Sequence, residues 1–356
     1  MSTRLQTLLG AFLAMLLAAV SASAGSPPSV QRPDAPVPGL AFDFAEVASG
    51  VHVAIARGVP YYVANSVLIV GDEGVLLVDS SAGPGEARVL RAAIRTITTL
   101  PVRYVVDTHF HLDHALGHAA FPEAVTIGHV ATRAGLGLGL RQPTLAANVQ
   151  GMPARAAELQ AKAAAETDSK KRAALVAEAA SVNAYGKELA ALVPMPSRLT
   201  FTDRLTLWLG DREVRILHLG RGHTAGDTVV FLPAERVVCT GDLFNGYIGY
   251  MGDAYVDEWA ATLERLAQLD FRTVVAGHGR PFEGKGGIAP VQACLRDLWK
   301  QAEQLKREGI PAADAAARID LRAHASRFPQ LATIGFGQQA IERIYAVIDE
   351  RAATSR

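Results

Sequence analysis

The sequence predicts an α/β (α+β) protein, and three features point there. Val- and Ile-rich runs cluster in two separate parts of the chain. An Ala-rich stretch of high helix propensity stands between them, and the tail carries the spacing of amphipathic helices. In the first part, VHVAIA (51–56), NSVLIV (65–70) and VLLVDS (75–80) read as strands. The turn GDEG joins the last two as a hairpin. Residues 84–100 read as a helix, because Leu90, Ala93, Ile94 and Ile97 recur on one face. Strands follow at 102–106 and about 125–130.

From about 133 to 196 the chain is Ala-rich, with Lys, Glu and Arg interspersed and no strand signal, so two or more inserted helices are expected. Strands resume with RLTLWLG, REVRILHL, TVVFLP and RVVCTG, then a helix near 256–269 and a strand at 273–276. The tail is helical: Val291, Leu295, Leu298, Ala302 and Leu305 keep one spacing, and Ile341, Tyr345 and Ile348 repeat it.

With 356 residues, 49% hydrophobic and 20% charged, the chain can bury a large core. Lys+Arg and Asp+Glu both number 35, so neither a nucleic-acid-binding basic face nor an acidic interaction tail is expected. Arg4, the apolar run Leu8–Val20 and Ala22-Ser23-Ala24 read as a signal peptide over 1–24, cleaved after Ala24. A Pro/Ser/Gly-rich linker over 25–39 follows. These features imply a periplasmic or secreted protein with no stable membrane insertion once the signal is removed. Cys239 and Cys294 sit in apolar patterns and are expected to be buried free thiols rather than a bridge.

The chemistry concentrates in T-H-F-H-L-D-H, Thr108–His114, directly after an apolar strand. Residues two apart in an extended loop share a side, so His109 and His111 can grip one ion, with Asp113 and His114 placed to face a neighbouring one. The chain has only ten histidines, and three of them fall within these positions. Zinc suits such nitrogen and carboxylate ligands. Three later segments each end a strand: G-R-G-H-T-A-G-D with His223, V-V-C-T-G-D-L-F with Asp242, and V-V-A-G-H-G-R-P with His278.

In this order the four motifs resemble the metallo-β-lactamase superfamily, over roughly residues 42–282. The resemblance implies an αββα sandwich of two mixed β-sheets flanked by helices, with the site at one edge. It implies a domain over 40–285 carrying the helical insertion 133–196, and a C-terminal helical extension over 286–356. It further implies that His109, His111 and His223 hold one metal, that Asp113, His114 and His278 hold a second, and that Asp242 bridges both. Two Zn²⁺ per chain are expected, with iron or a mixed pair as the alternative. Such metals bring the pKa of a shared water down to about 7, so a metal-bound hydroxide attacks a carbonyl-type bond. Asp113 orients that nucleophile or carries a proton to the leaving group.

A bridging carboxylate resembles the glyoxalase II-like thioesterases, whereas export suits a β-lactamase. The expected substrate is therefore a small ester, thioester, lactone or lactam. Two readings from other classes stand beside it: an iron-dependent persulfide dioxygenase, and a non-catalytic periplasmic metal-binding protein. Thr108, Thr224 and Asp227 are candidates for orienting imidazoles or for ordinary turn bonding. His52, His118, His129, His218 and His324 read as structural. Tyr247 and Tyr250, in NGYIGYMGD, are candidates for lining a cleft or for packing.

Overall fold

A computed structural model describes residues 29–30, 40–57, 63–139, 143–193 and 195–354. The expected signal peptide and all of the expected linker except Ser29–Val30 lie outside the described residues.

The first sheet is built from β1 (Ser29–Val30), β2 (Ala41–Ala48), β3 (Val51–Arg57), β4 (Ser66–Val70), β5 (Val75–Val78), β6 (Val102–Val106), β7 (Val125–His129) and β8 (Leu199–Phe201) in that spatial order. Pairing is antiparallel from β1 to β5 and parallel from β5 to β8. The GDEG hairpin forms, with Val70 opposite Val75. A strand not expected from the sequence, β2, precedes it; its apolar Phe42 and Phe44 alternate with Asp43 and Ala45, the period of a half-buried strand.

The second sheet holds β9 (Arg204–Leu209), β10 (Arg212–Leu217), β11 (Val229–Leu232), β12 (Val237–Gly241), β13 (Thr273–Ala276) and β14 (Phe282–Glu283), in the order β14-β13-β12-β11-β10-β9. Central strands of both sheets are buried on both faces, which is why they read as continuous apolar runs rather than alternations. Val53, Val67, Ile69, Leu76 and Val106 of the first sheet meet Val214, Ile216, Val230, Leu232 and Val237 of the second. The sheets therefore pack face to face.

Each outer face is covered by helices. On the first, α1 (Pro84–Ile94) lays Ala87, Leu90 and Ala93 against Leu68, Leu77 and Val105. It ends at Ile94, short of the expected residue 100, because Thr96, Ile97 and Thr98 turn back onto Ala93 and Ile94 carbonyls; Ile97 still packs on the core from that turn. On the second face lie α6 (Val256–Ala267), α7 (Ile288–Arg307), the short α8 (Ala312–Ala316) and α9 (Gln338–Thr354). Trp259, Leu263, Leu295, Leu298, Ile341 and Ile344 form one cluster there with Val238 and Val274. Each such large apolar side chain contributes about 1.5–3 kcal/mol on burial. The result is helix, sheet, sheet, helix: the αββα sandwich.

Between β6 and β8 run α2 (Leu112–Ala115), α3 (Val130–Gly137), α4 (Pro143–Ala165) and α5 (Ser169–Ala191). The last two form a hairpin joined by Ala156, Leu159, Ala179 and Val182. Asp168 caps α5, its carboxylate accepting from Lys170 and Lys171 N–H at 2.9 and 3.0 Å. Tyr185 of α5 donates to the Ala82 carbonyl at 3.1 Å, and Glu188 accepts from Gly85 N–H at 2.6 Å in the first turn of α1. The hairpin is thus seated beside the loop after β5. Among the described residues no helix is long and apolar enough to cross a membrane.

Cys239 and Cys294 are buried free thiols, as expected. His118 is structural: Asp107 contacts its Nε2 at 2.5 Å and also accepts from Ser197 Oγ at 2.6 Å, while Nδ1 faces the Met195 carbonyl at 3.0 Å. His129 caps α3 by accepting from Ala131 N–H, and its ring stacks on His218 at 4.0 Å.

Burial, then His218, lowers His129 from 6.5 to about 4, and burial also lowers His218. The unfolded chain therefore binds protons more readily at these sites, so their stability contribution is full above pH 6.5 and is lost as pH falls towards 4. Thermal melts of His129→Asn, which keeps a capping side chain, should lose less Tm than the parent between those pH values. Equal losses would contradict the account.

Candidate metal centre

The site lies where five strand ends converge. β6 delivers Thr108, His109 and His111, and α2 begins at Leu112 with His111 as its cap. β12 ends at Gly241 just before Asp242, β13 ends two residues before His278, and β10 and β11 flank the turn that carries His223. The backbones are knitted together: Thr228 N–H donates to the Thr108 carbonyl at 2.8 Å, and Asn65 Nδ2 donates to the Ala276 and Gly279 carbonyls.

All seven sequence-predicted residues come together. His109, His111 and His223 form one group of converging donor atoms, and Asp113, His114 and His278 form another. His109, His114 and Asp242 form a third that spans them; within each group the donor atoms lie within 4.8 Å of one another. Asp242 sits between the sides, with Oδ2 3.6 Å from His223 Nε2 and Oδ1 3.4 Å from His278 Nε2 and 3.6 Å from His114 Nε2. Asp113 Oδ2 lies 3.1 Å from His278 Nε2.

Gly277 makes this approach fit. A Cβ there would lie 2.2 Å from Asp242 Oδ1 and 2.7 Å from His114 Cε1. Gly277→Ala should therefore push the carboxylate aside, costing about 1–3 kcal/mol by overpacking. Lower retained metal together with a lower Tm checks this; an unchanged pair of values would contradict it.

Two acids that the sequence reading did not single out orient the imidazoles. Asp79, at the end of β5 with φ +60°, accepts from Thr108 N–H at 2.8 Å and from Thr108 Oγ1 at 2.9 Å, and faces His114 Nδ1 at 2.7 Å. With Nδ1–H donated to Asp79, His114 presents Nε2 to the site. Asp253 faces His111 Nε2 at 2.9 Å, so His111 presents Nδ1, which lies 3.0 Å from His223 Nε2. Thr108 Oγ1 also lies 3.1 Å from His109 Nδ1. Thr224 and Asp227 instead close their own turn: Thr224 N–H and Oγ1 donate to Asp227, the hydroxyl at 2.6 Å. Tyr250 stands edge-on to His111 with ring centroids 5.5 Å apart, and Tyr247 lines a small cavity together with His223 and Asp242.

Electrostatically the two sides differ. Burial, then its imidazole neighbours, holds His109 well below 6.5 and takes His223 to about 3, so both are neutral electron-pair donors. Burial pulls His114 and His278 the same way. For His114 the Asp113, Asp79 and Asp242 carboxylates outweigh it and raise the pKa to about 10; for His278 the Asp242 and Asp113 carboxylates raise it to about 9. Burial opposes ionisation of Asp242, but His278 and His114 hold it well below the usual range; Asp113 is lowered by His114 and His278.

The residues fit cations. Nε2 of His109 and of His114 is buried with no hydrogen-bond partner among the described residues, although such orphaned groups are costly. The nitrogens and carboxylates around them converge at separations mostly wider than hydrogen bonds. A cation among them would satisfy both observations.

The fold and this constellation agree with the comparison by family: the chain belongs to the metallo-β-lactamase superfamily, whose sequence profile matches residues 60–278. Among curated relatives, the linear primary-alkylsulfatase of Pseudomonas sp. (strain ATCC 19151) is 24% identical over 301 residues, 78% of this chain and 54% of that one. The metallo-β-lactamase type 2 of Bacillus cereus is 31% identical over 112 residues, 30% of this chain and 40% of that one. The chain thus spans about half the length of the first relative and less of the second. A solved metallo-β-lactamase from Pontibacter korlensis shares the fold, with TM-score 0.51 and 18% identity over 72% of this chain and 99% of that one. The chain is therefore placed in a family of hydrolases and carries a His-rich candidate metal site.

Proposed function

We propose that this protein is a binuclear zinc hydrolase, exported to the periplasm or beyond, that cleaves a carbonyl-type bond in a small ester, thioester, lactone or β-lactam. The observation that carries the reading is Asp242, whose two carboxylate oxygens face opposite ligand groups. One shared carboxylate is useful when two cations sit about 3.5–4 Å apart. When bound, such cations ionise a water near neutral pH and polarise the attacked bond.

The chain's own residues supply the rest. His109, His111 and His223 would hold one cation, and Asp113, His114 and His278 the other. Asp79 and Asp253 keep His114 and His111 in the tautomers that face the site. Asp113, ionised at neutral pH, turns Oδ2 towards His278 Nε2 at 3.1 Å on the ligand side, which leaves its other carboxylate oxygen to accept a proton and return it to a leaving group. Phe110, whose ring centroid is 4.9 Å from that of His111, and Tyr250, at 5.5 Å, pack edge-on against the His111 imidazole.

A second reading, hydrolysis of a primary alkyl sulfate, is favoured by the extent of the alkylsulfatase alignment, 78% of this chain against 30% for the B. cereus lactamase. The test is an anaerobic assay of the zinc-loaded protein on lactams, lactones, thioesters, esters and a primary alkyl sulfate, with the iron form assayed on glutathione persulfide for oxygen uptake. Oxygen-independent cleavage of a carbonyl substrate is expected. Oxygen uptake by the iron form without anaerobic hydrolysis would replace the reading with a dioxygenase.

A further inference from the structure

Beside the metal centre a cleft of about 240 Å³ is lined by Phe110, Ala225, Asp253, Tyr255 and Arg343. Three of these are tied to the ligand residues. Phe110 lies between His109 and His111, Ala225 lies two residues after His223, and Asp253 bonds His111. Arg343 comes from elsewhere, the C-terminal helix α9, outside the stretch that matches the superfamily.

Its guanidinium is held in place. Nε donates to the Ala254 carbonyl at 3.1 Å, one residue from Asp253, and the group stacks 4.5 Å from the centroid of the Tyr255 ring. Arg221 lies 4.2 Å from the centroid of the same ring and is itself paired with Glu258. Nη1 of Arg343 donates to Glu350 at 2.8 Å, a carboxylate side chain 51% exposed. Pairs this exposed are weak and exchange readily with other anions. Nη2 has no hydrogen bond among the described residues. The other charge in the cleft, Asp253, is engaged by His111.

We propose that Arg343 is a specificity residue that binds a carboxylate on the substrate, with the adjoining apolar or aromatic part of that substrate lying between Phe110 and Tyr255. This rests on the hydrolase reading, because it places the reacting bond on the His111–His223 side. A fork of oriented donors matches a carboxylate, and the stacked ring keeps it from collapsing when the site is empty of ligand.

Binding tests this apart from turnover. Phenylacetate, phenylacetamide and phenethylamine are titrated calorimetrically into the full chain, as purified and after chelator treatment. Phenylacetate should bind about tenfold or more tightly than its amide in both preparations, as a charge-assisted pair gives. Arg343→Gln should bring the ratio near one, Arg343→Lys should keep part of it, and Glu350→Gln, which removes the competing anion, should raise it. Equal affinities in the parent protein would overturn the proposal, as would an acid preference that survives Arg343→Gln or disappears with the metal. Tightest binding of the amine would overturn it too, assigning the cleft to Asp253. If Arg343→Gln does not fold, an unchanged ratio in Glu350→Gln overturns it. Absence of turnover on any substrate would sink the hydrolase reading while leaving the acid preference measurable.

Discussion

Replacing Asp242 by Ala should lower hydrolysis by on the order of a thousandfold, the several kcal/mol that paired cations supply to the developing charge. It should also lower metal content below two equivalents. The carboxylate is the only one of the seven candidate ligands whose oxygens approach nitrogens of both groups, His223 on one side and His114 and His278 on the other. Its loss removes negative charge from a buried cluster in which His114 and His278 are raised by it. Metal analysis after dialysis, with kcat on the best panel substrate, checks both expectations. Two tightly held equivalents in Asp242→Ala would remove the bridging role.

The second large effect is expected at Asp79, which touches no reacting atom. Asp79→Ala leaves His114 Nδ1 and the Thr108 hydroxyl without their carboxylate partner, 0% and 1% exposed respectively. Removing one partner of a buried pair costs about 3–5 kcal/mol. Loss of an acid that orients a ligand imidazole lowers metal affinity about 10–100-fold. Asp79→Asn separates the two consequences, since it keeps the shape and one hydrogen-bonding oxygen while losing the charge. It should recover most of the Tm but little of the affinity of the group containing His114. Affinity equal to the parent in Asp79→Asn would show that Asp79 acts through folding alone.

The seven candidate ligands were legible in the sequence because each stands at the end of an apolar strand in a short pattern of Gly, His and Asp. Asp79 and Asp253 were not. Each is a single acid without a local pattern, and its partner lies 35 or 142 residues away along the chain. Within VLLVDS an aspartate after a strand reads as turn chemistry, and within NGYIGYMGD the tyrosines draw attention first. The fold followed the same division. Runs buried on both faces, such as Val75–Val78 and Val237–Gly241, announce themselves by composition. The half-buried β2 hides its alternation behind Ala and Asp. Periodicity overextended α1, because Ile97 packs on the core from a turn. Arg343 had no signal at all: in a helical pattern it is one more solvent-side cation until α9 packs beside Ala254.

The central claim is that one carboxylate joins two cation sites. Anomalous diffraction from crystals grown with zinc tests it most directly. Two peaks about 3.5–4 Å apart are expected, one bounded by His109, His111 and His223, the other by Asp113, His114 and His278, with Asp242 between them. A single peak within the His109, His111 and His223 group, with Asp242 hydrogen-bonded to His278, would contradict it.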